Sequence, residues 1–471
     1  MPGLDAIFAG EPAFPLRGFM LDISRNKVPT MASLFKLVDQ LAAWRINHLQ
    51  LYTEHTFAYA GHEAVWRDAS PMTPEEIRVL DAYCRERDIE LCPNQNSFGH
   101  LHRWLKLPAY AHLAEAPAGY VTPWGEVRDK PFSLNPLHPG SVELMKDLYD
   151  QLLPNFASQR INVGCDETFD LGQGASRQAC TERGKGRVYL EFLKKIRALV
   201  HERGHTMLFW GDIILNHPEL IPELDCDDIA LVWGYEANHP FNEQCARFAD
   251  SGIPFWVCPG TSTWNSVTGR FHNARENLQA AAQAGLCHGA RGFMVTEWGD
   301  NGHWQTTPFS RLALATAAVT AWTGRVPDHA TLRQLVGHAD ELIELGDLYR
   351  EAGFEQENNS PIFPLIRFSD PSKTLDRWSR DRLHLVLEKA TAAVRRDHDD
   401  SIVLGAAMLA HAARRGLWLK AGCPAAEKPE LAMEMRDLID RFKANWLREN
   451  RPGGLDESVE PLRLRLAEYT S

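Results

Sequence analysis

Residues 16–325 alternate between short apolar runs and longer amphipathic stretches, and this alternation limits the possible folds more than any other feature of the chain. The apolar runs have the length and side-chain types of buried strands, and Gly, Pro, Asp or Asn ends them. A stretch with helical periodicity follows each run. Repeated β-α units predict an α/β protein with a (β/α)8 TIM barrel; a doubly wound sheet, usually with fewer strands, is the alternative. The eight predicted strands are 16–23, 48–53, 89–93, 160–165, 206–210, 229–233, 254–258 and 292–298.

The pattern changes near residue 326, where strand-like runs stop and helical periodicity dominates. This periodicity is clear in residues 378–396, 402–420 and 431–449. We therefore expect a catalytic barrel domain of residues 1–325 and a smaller, all-helical C-terminal domain of residues 326–471. The helical domain is expected either to pack on the barrel or to mediate contacts in a homodimer.

Two adjacent acids, Asp166 and Glu167, follow the fourth predicted strand. Neighbouring side chains of a strand point to opposite sides, so both acids reach one pocket only where the strand bends or ends. Two crowded carboxyl groups have their pKa values pushed apart, so that one donates a proton while the other stays charged. One proton-donating acid beside one charged acid suits acid-catalysed cleavage of an acetal. The alternative is a helix N-cap acid followed by an acid in the first helical turn.

Tryptophans recur at or just after the ends of four predicted strands, at positions 210, 233, 264 and 298. A single Trp in such a place is more often part of the core. Four at one end of a barrel indicate a ligand surface, because the carboxyl ends of the strands carry the active site of this fold. The apolar faces of pyranose rings stack on aromatic rings, while acids and an arginine bind the hydroxyls. The sequence therefore predicts a sugar pocket.

Two segments resemble the signatures of glycoside hydrolase family 20, the β-N-acetylhexosaminidases. One is Arg17-Gly-Phe-Met-Leu-Asp-Ile-Ser-Arg25, and the other is Gly164-Cys-Asp-Glu167. Trp-Gly-Asp at strands five and eight adds to the resemblance, which covers most of residues 15–325. Within the family the chain is most similar to the hexosaminidase D branch, which lacks the usual N-terminal domain and carries a helical C-terminal one.

The resemblance implies an exo-acting, retaining enzyme that removes terminal GlcNAc, GalNAc or both, with the substrate's own acetamido oxygen as nucleophile. Glu167 would be the general acid and base, and Asp166 would hold the acetamido group. Arg17 and Asp300 match residues that bind ring hydroxyls. Asp300 and Glu297 are the acids that could act as direct nucleophiles instead. The matching pocket walls are Trp210, Trp233 and Trp298.

The chain departs from the family pattern in two places. After strand three, Asn94 and Asn96 replace two acids, while His100 is kept and is expected to pair with Asp166 or to line the pocket. Near strand seven the family has a tyrosine that donates to the acetamido oxygen. Here Trp264 and Asn265 stand in that region without a tyrosine, so Tyr235 is the predicted substitute.

Two other functions remain open from the sequence. His201-Glu-Arg-Gly-His205 matches the H-E-x-x-H pattern of zinc proteases, which needs both histidines on one helical face. Gly204 is expected to end this helix first, so we predict no metal and no cofactor. A non-catalytic sugar-binding barrel is the other possibility, and the intact pair of Asp166 and Glu167 disfavours it.

Charge, hydrophobicity and cysteine content limit the kinds of partner and compartment that we expect for this chain. A formal charge of −12 argues against nucleic acid as the main partner. No apolar run is long enough to span a membrane, and the N-terminus lacks the features of a signal peptide. The nine cysteines are scattered without a C-x-x-C pair, as reduced thiols are. We expect a cytoplasmic protein whose partner is a carbohydrate substrate.

Overall fold

The computed structural model describes residues 4–25, 27–396 and 399–471. Its ten strands are β1 Leu16–Asp22, β2 His48–Thr53, β3 Glu90–Gln95, β4 Tyr120–Val121, β5 Val127–Arg128, β6 Arg160–Asn162, β7 Thr206–Trp210, β8 Ile229–Trp233, β9 Phe255–Cys258 and β10 Gly292–Glu297. Eight of them form a closed barrel in the order β1-β10-β9-β8-β7-β6-β3-β2, and all neighbours in it are parallel. The predicted (β/α)8 barrel is confirmed.

Helices surround the barrel and dominate the chain after it. They are α1 Leu4–Ile7, α2 Met31–Ala43, α3 Glu63–Trp66, α4 Pro74–Arg85, α5 His102–Leu105, α6 Pro139–Leu152, α7 Arg177–Arg183, α8 Lys185–His201, α9 Asp212–Leu215, α10 Phe241–Ser251, α11 Phe271–His288, α12 Thr307–Thr323, α13 His329–Leu335, α14 Ala339–Asp347, α15 Phe363–Arg367, α16 Ser372–Leu375, α17 Arg380–Val394, α18 Asp400–Lys420, α19 Lys428–Glu449 and α20 Leu455–Thr470. None of them is both long and apolar enough to cross a membrane, within the residues described.

The inside of the barrel holds its own apolar cluster, which includes Met20, Leu208, Leu231 and Met294. Gly18 of β1 is required here, because a Cβ atom at this position would lie 2.9 Å from Cγ of Met294. The opposite faces of the strands contact the helices and belong to a second, larger core. This division follows from the alternation of side chains along each strand.

A polar network lies deeper in the barrel. Oε1 of Gln50 accepts hydrogen bonds from Nδ2 of Asn94 at 2.9 Å and from Nδ2 of Asn162 at 3.0 Å. Nε2 of Gln50 contacts Nε2 of His48 at 3.0 Å. Buried polar groups need such partners. Asn94 is thus held in the barrel interior by Gln50.

Five predicted strands differ from the observed ones at one end or both, and the largest differences are at β6 and β3. The fourth barrel strand, β6, ends at Asn162 and not at residue 165, since Gly164 and Cys165 both have a φ of +67°. Positive φ angles are incompatible with a strand. The third strand, β3, extends to Gln95, and the long segment after it forms the hairpin β4–β5 and the short helix α5.

The chain after α12 is helical, as predicted, and it packs on the barrel. Arg451, between α19 and α20, donates to the carbonyl oxygens of Pro29 at 3.1 Å and Pro71 at 2.7 Å. Nε1 of Trp304, in the loop after β10, donates to the carbonyl oxygen of Ser458 at 2.9 Å. The helical part therefore contacts the barrel loops, and the exact domain boundary at residue 325 stays a prediction.

Candidate active site

A small pocket opens at the carboxyl ends of the barrel strands. Every predicted site residue except Arg17, Trp264 and Asn265 lines it, and two residues that were not predicted join them. The lining residues are Arg25, His100, Asp166, Glu167, Trp210, Trp233, Tyr235, Trp298, Asp300 and Asn358.

The bend after β6 brings both adjacent acids to this pocket. Gly164, Cys165 and Glu167 have φ angles of +67°, +67° and +49°, so the chain leaves the extended conformation and turns. Gly164 is required, because a Cβ atom there would lie 2.6 Å from Cγ of Asn96. No helix begins at Asp166, since the next helix, α7, starts at Arg177. The interpretation of the pair as a helix cap is therefore wrong.

Each acid is held by a different partner. Oδ1 of Asp166 accepts a hydrogen bond from Nδ2 of Asn96 at 2.9 Å. The backbone N–H of Glu167 donates to Oδ2 of Asp212 at 3.1 Å. Only 6% of Asp166 is exposed to solvent, whereas 33% of the Glu167 side chain is exposed. Glu167 is thus the acid that an incoming group reaches from the pocket mouth.

His100 lies between the two acids. Its Nε2 is 3.3 Å from Oδ2 of Asp166 and 3.3 Å from Oε2 of Glu167. Burial lowers the pKa of His100, but the charge of Asp166 and contacts with both acids outweigh burial and raise it to about 10. Nη2 of Arg25 lies 3.2 Å from Nδ1, a contact that alone favours the neutral ring. Two carboxylates favour the imidazolium ion more strongly than this contact opposes it.

The same interactions keep Asp166 charged. Burial raises the pKa of Asp166, but the charge of His100 and hydrogen bonds from His100 and Asn96 outweigh it, so the net pKa is lowered. Asp212 behaves in the opposite way, because burial and then the charge of Asp166 raise its pKa to about 8. At neutral pH the pocket residue Asp166 is therefore ionised, and Asp212, behind it, is protonated. Asp212 follows Trp210-Gly211 at a strand end, which is the signal that could have identified it.

Arg25 and Asp300 form an ion pair in the lining of the pocket. Nε of Arg25 lies 2.9 Å from Oδ1 of Asp300, and Nη1 lies 3.1 Å from Oδ2 of Asp22. Asp22 also accepts hydrogen bonds from the backbone N–H groups of Arg25 at 3.0 Å and Gly299 at 2.9 Å. It thereby fixes the loops after β1 and β10 together.

The prediction that Arg17 contacts the substrate is wrong. Arg17 stands near the beginning of β1, at the opposite end of the barrel. Its guanidinium donates to the backbone oxygens of Arg45 at 2.7 Å, Phe14 at 2.9 Å and Pro15 at 2.9 Å. Arg25, the last residue of the same sequence motif, follows the end of β1 and lies in the pocket instead.

Trp264 and Asn265 lie behind the pocket wall and not on its surface. Trp264 is 1% exposed, and its Nε1 donates to Oδ1 of Asn358 at 2.7 Å. Nδ2 of Asn265 donates to the backbone oxygen of Asn358 at 2.9 Å. Both residues thus position Asn358, which does line the pocket. Asn358 lies in the helical part of the chain, outside the β-α repeat, so no strand-end signal marked it.

Aromatic side chains form the pocket walls. The ring centroids of Trp210 and Trp298 are 6.1 Å apart, and Trp233 stacks on Tyr235 at 5.1 Å. Nε1 of Trp298 donates to the hydroxyl oxygen of Tyr235 at 2.7 Å. The Tyr235 hydroxyl keeps its own proton for donation to another group. These walls leave apolar ring faces and one hydroxyl donor around the acids.

A larger cavity lies outside the barrel, between α2, α12 and the end of α19. Glu297 lines it, and Oε1 of Glu297 accepts a hydrogen bond from Oγ of Ser310 at 2.6 Å. Burial lowers the pKa of Lys27 in the same cavity to about 8. Because Glu297 faces this cavity, it is not available as a nucleophile in the pocket. The cavity lacks an aromatic wall beside paired acids, so we assign the active site to the smaller pocket.

The zinc-protease geometry is not formed. Helix α8 ends at His201, and Gly204 has a φ of +75°, so the two histidines do not share a helical face. Nε2 of His201 lies 3.1 Å from Oδ1 of Asp228, and Nδ1 of His205 lies 2.8 Å from the backbone oxygen of Arg203. The zinc-protease interpretation of this segment is wrong.

One cluster in the pocket has the composition of a metal site. Ligand atoms of His100, Asp166 and Glu167 all lie within 4.8 Å of one another. A cation is not needed to explain this proximity, since the imidazolium of His100 already supplies a positive charge between the acids. A second group, Asp225, Cys226 and Asp227, lies on a mostly exposed loop.

A closed (β/α)8 barrel whose strand ends present paired acids and tryptophan walls is the architecture of a carbohydrate-active enzyme. The chain belongs to glycosyl hydrolase family 20, because the model of that family's catalytic domain matches residues 14–325. This result confirms the family predicted from the sequence motifs.

Similar proteins agree with the predicted branch. Human hexosaminidase D is 26% identical over 313 residues, which are 62% of this chain and 61% of that protein. Bovine hexosaminidase D is 27% identical over 294 residues, which are 58% of this chain and 80% of that protein. The alignment thus spans about three fifths of the human relative's length.

Solved structures share the fold. A chitobiase from Flavobacterium johnsoniae superposes with a TM-score of 0.56 at 16% identity, covering 98% of this chain and 78% of that one. An exo-β-N-acetylglucosaminidase from Vibrio harveyi gives a TM-score of 0.55 at 17% identity, covering 71% and 58%. At such identities the likeness establishes the fold alone.

Proposed function

We propose that this protein is an exo-acting β-N-acetylhexosaminidase that removes a terminal β-linked GlcNAc or GalNAc residue with retention of configuration. The observation that carries this proposal is the bend after β6, which turns Asp166 and Glu167 into one tryptophan-walled pocket. Membership of family 20 supports the same activity.

The distribution of acids favours the substrate's acetamido group as nucleophile. A direct carboxylate nucleophile would need an unpaired acid across the sugar from the general acid. Asp300 is the pocket acid outside the pair, and it is bound to Arg25 at 2.9 Å. Glu297 faces the cavity outside the barrel. The acetamido oxygen therefore attacks C1 while Glu167 protonates the leaving oxygen.

Asp166 has the charge that this reaction needs. Attack by the acetamido oxygen forms an oxazolinium-like intermediate, whose positive charge an ionised Asp166 stabilises while accepting a hydrogen bond from the acetamido N–H. The lowered pKa of Asp166 keeps it ionised. In the second half of the reaction, Glu167 takes a proton from water, and the resulting hydroxide equivalent opens the intermediate at C1.

Arg25 and Asp300 are proposed to bind ring hydroxyls, with Trp210, Trp233 and Trp298 around the sugar. Tyr235 is proposed to donate its hydroxyl proton to the acetamido oxygen. Arg25, Asp300 and Asn358 line the same small pocket as the acids and the tryptophans. The small size of the pocket favours binding of a single terminal sugar, which supports exo-action.

A row of rings leads from the acids towards solvent, and we call Phe132, Phe169 and Trp124 the aromatic strip. Phe132 lies 4.7 Å from the ring of His100 and 6.0 Å from Phe169, on which it stacks. Trp124 lies 5.3 Å from Phe169 and is 64% exposed. Exposed apolar surface beside a pocket indicates a binding region. The leaving group is proposed to be a sugar that rests on this strip.

The acetamido requirement tests the proposal. A 4-nitrophenyl 2-acetamido-2-deoxy-β-glycoside should be hydrolysed, whereas the matching 2-hydroxy β-glycoside should be nearly inert. A thiazoline analogue of the cyclised intermediate should bind much more tightly than the product, as expected of an intermediate mimic. Comparable rates on the two glycosides would contradict the mechanism.

A further inference from the structure

Asn358 reaches the pocket from outside the family domain, which ends at residue 325. It lies in the connection before α15, and its φ is +51°. Its backbone N–H donates to Oε1 of Glu236 at 2.7 Å, and its backbone oxygen accepts from Nδ2 of Asn265 at 2.9 Å. The helical part of the chain therefore contributes directly to the pocket.

The orientation of the Asn358 amide is fixed by its neighbour. Nε1 of Trp264 donates to Oδ1 of Asn358 at 2.7 Å. An indole N–H only donates, so the atom facing it must be the amide oxygen. Nδ2 then carries two hydrogens and has no hydrogen-bond partner among the residues that the structure describes. A fixed donor thus faces the pocket.

The residues around Asn358 are held in place as well. Glu236 makes two contacts of 2.9 Å with the guanidinium of Arg270, which is 3% exposed. Oδ1 of Asn265 accepts from Nδ2 of Asn301 at 2.8 Å, which connects this group to the loop after β10. Donors held by buried partners are preorganised for a ligand, since little freedom is lost on binding.

Asn358 and the acids lie on different sides of the pocket. Its partners Glu236, Trp264 and Asn265 follow β8 and β9, whereas Asp166 and Glu167 follow β6. In the barrel, one strand (β7) lies between β6 and β8. Two strands (β7 and β8) lie between β6 and β9. With C1 of the sugar next to Glu167, a donor on the side of β8 and β9 is placed to meet ring hydroxyls away from C1.

We propose that Nδ2 of Asn358 donates a hydrogen bond to the C4 or C6 hydroxyl of the terminal sugar, an assignment that rests on the proposed function. The helical region then supplies a specificity-determining residue, and the two parts of the chain form one pocket. Contact with C4 would discriminate between GlcNAc and GalNAc, because these sugars differ only in the orientation of that hydroxyl. Contact with C6 would not.

Paired changes in enzyme and substrate test this assignment. The substrates are 4-nitrophenyl β-GlcNAc and its 4-deoxy and 6-deoxy analogues. The variant is Asn358→Gly, because glycine adopts a φ of +51° without strain. Asn358→Ala is the second variant, and Glu357→Ala, an exposed neighbour, is the matched control.

In wild type, loss of the contacted hydroxyl should lower kcat/KM by roughly tenfold to a hundredfold, as expected when a donor enclosed by the bound sugar is left unpaired. Asn358→Gly should lower kcat/KM on the parent glycoside and should reduce the parent-to-analogue ratio for one of the two analogues by at least about fivefold. Glu357→Ala should leave both ratios unchanged. A purely structural role would lower all rates without changing either ratio.

Unchanged ratios for both analogues in an active Asn358→Gly or Asn358→Ala enzyme would overturn the assignment. A wild-type protein that hydrolyses neither 4-nitrophenyl β-GlcNAc nor 4-nitrophenyl β-GalNAc would instead contradict the proposed function itself. The two failures are therefore distinguished by the wild-type rate.

Discussion

At the residue scale, the chemistry depends on Glu167 as the proton donor. Glu167→Gln removes the proton but keeps the shape of the side chain. We expect kcat on an N-acetylhexosaminyl disaccharide to fall by about 10²–10⁴-fold, the usual contribution of a positioned acid. A 4-nitrophenyl glycoside should lose less, since its leaving group needs little protonation. Steady-state kinetics on both substrates test this, and a normal rate on the disaccharide would rule out the assignment.

Asp212 gives a prediction about stability and pH. Its folded pKa of about 8 lies above the ordinary value of 3.8. Between these values the folded protein holds a proton that the unfolded chain releases, so the free energy of unfolding falls as pH rises from about 4 to 8. Asp212→Asn removes this dependence. The variant should have a higher Tm than wild type at pH 7.5, and the difference should disappear near pH 4.

Calorimetry at several pH values measures this difference. Asp376→Asn is a suitable control, because Asp376 is exposed and does not line the pocket. A Tm difference for Asp212→Asn that stays constant from pH 4 to 8 would show that Asp212 titrates normally.

Individual residues were predictable where a strand end marked them. Asp166, Glu167 and the pocket tryptophans were found because a parallel barrel gathers the carboxyl ends of its strands. The prediction for Arg17 was wrong because Arg17 lies at the beginning of β1. Arg25, in the same motif, follows the end of that strand. Asn358 had no such signal, since its position depends on how the helical region packs.

At the scale of elements, the sequence predicts strands better than the turns that follow them. The periodicity of β7 and β8 gave both boundaries, which the structure confirms as Thr206–Trp210 and Ile229–Trp233. The end of β6 was not predictable, because Cys165 and Glu167 adopt positive φ angles that non-glycine residues rarely take. Side-chain alternation nevertheless predicts correctly that the chain must end or bend its strand there, because both acids reach one pocket.

The hairpin β4–β5 carries the exposed end of the aromatic strip and gives a prediction of its own. Trp124→Ala should lower kcat/KM on an oligosaccharide by about threefold to tenfold, the worth of one aromatic contact. Hydrolysis of a 4-nitrophenyl glycoside should not change, because its leaving group is too short to reach Trp124. Val127→Ala, on the same hairpin and 75% exposed, is the control. Equal losses on both substrates would mean that Trp124 supports the loop and not the leaving group.

At the scale of the whole molecule, the helical region and the barrel share the active-site loops. Nε of Arg367, at the end of α15, donates to the backbone oxygen of Asn301 at 3.0 Å, next to Asp300. Trp304, in the same loop, packs against Phe363 at 5.3 Å and Phe442 at 6.3 Å. Together with Asn358, these contacts mean that residues of both the barrel and the helical region form and support the pocket. The sequence predicted a barrel and a helical region, but it did not predict that both contribute to the active site.

The shared contacts predict that the barrel and the helical region unfold together. Arg451 joins them through Pro29 and Pro71 and through Glu76, whose Oε1 lies 2.8 Å from Nη2 of Arg451. Arg451→Ala should lower the free energy of unfolding by about 1–3 kcal/mol, because it leaves several partly buried acceptors unpaired. Arg463→Ala removes an exposed pair with Asp456 and should cost less than about 1 kcal/mol.

Calorimetry of the whole chain, followed by residual activity at each temperature, separates the possible outcomes. We expect one transition in which heat uptake and loss of activity coincide, and a thiazoline ligand should shift that whole transition upwards, since it binds only the folded pocket. Arg451→Ala should move the same single transition to lower temperature. If the helical region were independent, the chain would show two transitions, Arg451→Ala would affect only one of them, and the ligand would stabilise the barrel alone. That result would contradict both the shared pocket and the contribution of Asn358 to it.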